Sequence, residues 1–224
     1  LARESLASRP IVGQVRREGR VALWIYAPGY LNQEPALDHM ADLTGMRFGI
    51  GEHAWGPLIH ITDFDHEITR DLSQDLFWGT NARLGPLFHL EDPGARTLGE
   101  VVYSQGRCKP GFGVREFADW ASVYSAAPNL PAQVLRGIAR YAGVHLYSEA
   151  GDVLYACRQL LGVHTVAGGV RTFALPERVE VVYDLLSRQV VAEDATQIRV
   201  TLPPRASCVY FTGPRALLAK LERP

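Results

Sequence analysis

Cysteine is scarce in this chain of 224 residues: Cys108, Cys157 and Cys208 stand far apart, with no C-x-x-C pair among them. So odd and sparse a set excludes a disulfide framework and fits reduced thiols in a cytoplasmic protein. An excess of one charge is lacking too, since 23 Lys and Arg face 24 Asp and Glu, a net of −1. That balance excludes the electrostatic footprint that nucleic acid or an anionic membrane surface demands. No apolar run approaches the roughly 18 residues of a membrane span. No signal peptide opens the chain, and its first residue is Leu1 rather than Met, as in a fragment or processed piece.

Catalytic signatures are equally missing. There is no G-x-S-x-G, so no serine-hydrolase elbow, and "GIGEHAWG" at residues 49–56 departs from G-x-G-x-x-G. The turn after the apolar run 21–26, where an open α/β sheet holds its chemistry, offers Ala27, Pro28 and Gly29 in place of a nucleophile. Cys108, ahead of Lys109 and Pro110, is the one thiol with a loop-like setting, and it reads as a bystander. "HITDFDHE" gathers His60, Asp63, Asp65, His66 and Glu67, but its members do not alternate along one strand face. A polar loop is expected there and no metal site, while His89 and His164 read as hydrogen-bonded core histidines. Acids such as Glu52, Glu91, Asp92, Glu116 and Asp119 invite the thought of a glycosidase pair. A chain of this length and pattern cannot supply the eight-fold barrel that would carry one. No catalytic carboxylate pair and no cofactor are expected.

What is present is a change of grammar along the chain. Residues 1–20 read as a helix stopped by Gly19, residues 21–26 as a strand covered on both faces, and "EPALDHMADLTG" as a helix closed by Gly45. Helix–strand–helix is the local pattern of a doubly wound sheet. Residues 46–127 break into short strands, and "NLPAQVLRGIARYAGV" restores a helix, with Asn129 as cap and a stripe of Val134, Leu135, Ile138, Ala139 and Ala142. After Tyr147 short alternating strands alone follow, the pattern of an antiparallel β-sandwich. Aromatic side chains such as Trp24, Tyr26, Tyr30, Trp55, Trp78, Trp120 and Tyr124 serve equally as core, as a subunit interface or as platforms for sugar rings.

"GRVALWIYAPGYLN…LDHMADLTGMRF", "WASVYSAAPNLPAQVLRGIARYAGVHLY" and "GDVLYACRQLLGVHTVAGGVRTFALP…VEVVYDLL" occur in that order, and together they resemble the C-terminal part of β-galactosidases of glycoside hydrolase family forty-two. "HEITRDL" is similar to a His-Pro-Ile-Thr-x-Gly-Leu element of amidotransferase-like domains, with Glu67 in place of the proline and Asp71 in place of the glycine. The resemblance implies an α/β fold: a Rossmann-like, amidotransferase-type "trimerisation" domain over residues 1–147, a small antiparallel β-sandwich over 148–213, and a tail over 214–224. It implies a non-catalytic portion of a glycoside-hydrolase-like protein, serving homo-oligomerisation and walling a carbohydrate site. A catalytic barrel on the same or a partner chain would complete that site. Tyr30, His53, Trp55 and Trp78 are the expected sugar-facing residues. Two other readings stay open: a free-standing carbohydrate-binding module, and a small amidotransferase-like hydrolase using Cys108.

Overall fold

The structure, a computed structural model, describes residues 10–51, 55–102 and 107–221, and they form two compact units, residues 1–144 and 145–224. In the first unit, α1 (Pro10–Val15) leads to β1 (Arg20–Ile25), a small ribbon of β2 (Leu31–Asn32) and β3 (Glu34–Pro35), and α2 (Leu37–Thr44). Seven strands follow: β4 (Phe48–Gly51), β5 (Leu58–Ile61), β6 (Phe77–Gly79), β7 (Leu87–Leu90), β8 (Arg96–Val102), β9 (Cys108–Glu116) and β10 (Trp120–Ser125). The unit ends on α3 (Ala132–Tyr141). Its main sheet runs in the order β1-β10-β9-β8-β5-β6, and β4 pairs with β7 in a separate ribbon.

This overturns the α/β, Rossmann-like expectation. The chain is mostly β, and the helices among the described residues are only four, none longer than 10 residues. Of the pairings in the main sheet only β1 with β10 is parallel. The reason lies in the connections. Three residues separate β9 from β10 and five separate β8 from β9, whereas a parallel crossover needs a dozen or more. Such links permit hairpins alone, so β8, β9 and β10 form an antiparallel meander.

The strand covered on both faces is β10, whose six residues are all buried, rather than β1. At the sheet edge β1 keeps one flank unpaired and stays half-buried, anchored where Trp24 Nε1–H donates to Ser122 Oγ at 3.0 Å. Phe112, Val123, Tyr124, Ile59, Leu98 and Met40 lie at the centre of the core. Gly45 closes α2 in the left-handed region (φ +76°), and a Cβ there would stand 2.5 Å from the Phe117 ring. Phe117 in turn stacks on Trp120 at 4.3 Å, with the Arg16 guanidinium over Trp120 and that of Arg115 over Phe117. Asn129 does not cap α3: the helix starts after Pro131, and the Asn129 amide instead donates to the Gly79 carbonyl at 3.1 Å.

The second unit holds β11 (Val153–Cys157), β12 (Leu160–His164), β13 (Gly169–Asp184), β14 (Gln189–Leu202), β15 (Ser207–Gly213) and α4 (Arg215–Leu221). They make one antiparallel sheet in the order β11-β12-β15-β13-β14, not two stacked sheets as a sandwich would have. Register shifts between Ala174 and Val179 and after Val182 let its 16-residue strand bend. The sheet buries Phe173, Ile198 and Tyr210 in one cluster. It buries Val181 and Phe211 in another, where Leu218 of α4 packs on them.

Candidate functional site

β1 and β10 run parallel, so both present their carboxyl ends to the same side, the position where open sheets leave a crevice. Tyr26 stands there in the left-handed region at φ +64°, a conformation that costs a bulky residue about 1–3 kcal/mol. Three hydrogen bonds impose it. The Tyr26 N–H donates to Ser125 O at 2.8 Å, Tyr124 Oη–H donates to Tyr26 O at 2.7 Å, and Tyr26 Oη–H donates to Pro86 O at 2.8 Å. Burial pushes the Tyr26 phenol above its ordinary pKa, so it remains a donor at neutral pH.

The forced turn at Tyr26, continued by Gly29 at φ +74°, swings Tyr30 back over Phe88. Tyr30 meets that ring edge-on at 4.8 Å, and Tyr26 meets it at 5.5 Å. Between them opens a cleft of about 480 Å³, closed by Leu31 and Pro35 on one side and Pro86 on the other. That lies within the range of about 300–1,000 Å³ usual for small-molecule sites. Aromatic faces and the Tyr30 hydroxyl, which has no hydrogen-bond partner among the described residues, are what the cleft offers a ligand. Among the described residues no carboxylate, imidazole, amine or thiol lines it, so what these residues offer is binding and stacking.

The expected sugar-facing residues separate. Tyr30 lines the cleft. Trp55 is 44% exposed and bridges to Leu84, next to the Gly85–Pro86 wall. Trp78 is only 3% exposed, with its indole N–H donating to Ser125 Oγ at 3.2 Å and its ring edge-on to Phe112. His53 lies outside the described residues. Tyr26, one of the aromatics that the sequence offers as platforms for sugar rings, and Phe88, which the sequence reading does not single out, complete the cleft.

Residues 60–67 are scattered. His60 faces Glu100 at 3.9 Å, Asp63 accepts both prongs of Arg96 at 2.6 and 3.1 Å, and Glu67 faces Arg70. Among the described residues no three His, Cys, Asp or Glu side chains gather as a metal site. Cys108 opens β9 in an exposed position. His66 is buried against Tyr141, and its Nδ1 accepts the Ile68 N–H at 3.2 Å, an internal cap for the turn that follows. Burial first, then the Arg96 charge, lowers its pKa, while Glu116, Asp63 and Glu67 pull the other way. Below the ordinary value of 6.5 the unfolded chain therefore takes up the proton before the folded one does, and stability falls as pH drops. We expect the urea midpoint to decline between pH 7.5 and 5.5. His66→Asn keeps an acceptor for Ile68 without titrating, so it should flatten that slope; an unchanged slope would assign the decline to other groups.

No protein-family model matches the sequence, and no curated protein matches it. In three dimensions the chain is similar to crystal structures of β-galactosidases. For that from Bacillus circulans sp. alkalophilus the TM-score is 0.61 at 16% identity, over 92% of this chain and 31% of that one. The fold is GH42-like. The Rahnella sp. R3 enzyme gives 0.58 at 14% identity over 93% and 30% of the two chains, and the GH42 β-galactosidase Gan42B gives 0.52 at 9% over 86% and 28%. The chain thus spans about 30% of the length of the GH42-type structures it resembles. Among the described residues no helix is long and apolar enough to cross a membrane.

Proposed function

We propose that this chain is a non-catalytic portion of a glycoside-hydrolase-like protein of the β-galactosidase type, and that its cleft at the end of β1 walls a carbohydrate site. A catalytic barrel, on the same chain or on a partner, completes that site, and copies of the chain associate with one another. The observation that carries the reading is the pairing of a GH42-like fold, matched over less than a third of the β-galactosidase chains, with a cleft that has aromatic walls and, among the described residues, no carboxylate, imidazole or thiol. A pyranose presents an apolar C–H face that suits Tyr30 and Phe88, and hydroxyls that suit the Tyr30 phenol.

The deciding experiment is an immunoblot of the source cells under denaturing conditions. A polypeptide about three times the length of this chain is expected from the 31% coverage; a band at the size of this chain alone would remove the barrel from the reading. In the protein with its barrel, Tyr30→Ala should raise KM for a β-galactoside about tenfold while kcat changes little. The ring packs at a half-buried rim against Phe88, and losing a contact made equally in the ground and transition states raises KM alone. An unchanged KM would take Tyr30 out of the sugar site.

A further inference from the structure

A second groove lies past the end of β10. The main sheet ends on β6, where strand parity sends Trp78 inward and Phe77 outward, 66% exposed. Beside Phe77 the surface sinks into a groove of about 390 Å³, floored by Leu58 and Trp78 and rimmed by Thr80, Asn81 and Asn129. Its polar groups are held but not exhausted. Asn129 donates one N–H to Gly79 O, which anchors the amide at the groove rim, and its Oδ1 has no hydrogen-bond partner among the described residues. Thr80 Oγ1 accepts the Ala82 N–H and keeps its own proton to give. The Asn81 side chain has no hydrogen-bond partner among the described residues.

Among the described residues no ionisable side chain lines this groove. A phosphate or carboxylate ligand would lose water there with no charge to replace it. A wholly apolar ligand would strip water from three amide and hydroxyl groups and leave them unpaired. A ring with one apolar face and a girdle of neutral hydroxyls meets both demands, its C–H face on Phe77 and its hydroxyls on Asn81, Asn129 and Thr80. We infer that this groove is a subsite for a neutral pyranose, separate from the cleft at Tyr30. The inference deepens the carbohydrate reading and takes its ligand class from it. It adds a second contact point to the one at Tyr30.

The test is a titration of the full chain with methyl β-galactopyranoside, methyl β-glucopyranoside and methyl β-mannopyranoside. It is followed through the side-chain amide resonances of Asn81 and Asn129 and the backbone resonance of Tyr30. Saturable shifts at both asparagines are expected with at least one sugar. Phe77→Ala should weaken that binding at least fivefold, Phe77→Tyr should preserve it, and Tyr30→Ala should leave it unchanged. Phe77 is exposed, so well-dispersed spectra of both variants serve as the control for folding. Absence of saturable asparagine shifts with all three sugars, or equal affinity in Phe77→Ala, overturns the inference. Shifts confined to Tyr30 overturn it while leaving the β1 cleft reading intact, and shifts confined to the asparagines do the reverse.

Discussion

Gly137→Ala is expected to destabilise the protein by about 3 kcal/mol, although alanine is the better helix former by about 1 kcal/mol. Gly137 faces the chain segment after β5, and a Cβ there would stand 2.1 Å from the Ile68 carbonyl oxygen. That obstacle is backbone, so relief requires α3 to lift away. Lifting the helix opens the seats of Val134 and Ile138, both buried on the same face. Gly13, inside α1, is the internal control, since a Cβ there meets nothing within 4 Å. Gly13→Ala should gain up to about 1 kcal/mol. Urea unfolding of the two variants reads the sign directly, and a stabilised Gly137→Ala would mean that α3 does not approach Ile68 so closely.

The second large effect separates two tryptophans that the sequence presents alike. Trp78→Ala should cost about 4 kcal/mol, within the range for emptying a large aromatic site. It also strips Ser125 Oγ of its indole donor in a buried position. Trp55→Ala, at an exposed site, should change stability by no more than about 0.5 kcal/mol. Thermal unfolding of both variants checks the contrast. A small loss at Trp78 would contradict its placement between Phe112 and Ser125 and return it to the surface.

Local pattern carried much of this fold and little of its long-range order. α2 and α3 were legible because apolar side chains recur at helical spacing, and Gly45 and Gly143 stop them at positive φ. The orientation of the strands was not, because a short apolar run looks the same whichever way its neighbour runs; the evidence lay in the three residues between β9 and β10. β1 reads as fully buried because its apolar residues are set by contacts with β10 and the core, while its place at the sheet edge is a property of the whole chain. Asn129 had the right residue type and position for a cap, yet its left-handed backbone (φ +60°) sends the amide to Gly79. Of the site, Tyr30 was reachable from composition and chain position. The left-handed backbone of Tyr26 depends on Tyr124, Ser125 and Pro86, between 60 and 99 positions away, and no local motif encodes it.

The one parallel pairing also sets a timetable for folding. Arg20 faces Trp120, one hundred positions later, and among the described residues no strand nearer in sequence pairs with β1. A ribosome adding about 5–20 residues per second needs about 5–20 s to make that distance. Through that interval "VALWI" waits without its partner, a β-prone apolar segment with no proline and no charge. Arg20 at its head and the glycine and proline of the turn beyond Tyr26 are the guards against pairing with another nascent chain. The strand first in the sheet is thus the last to find its place.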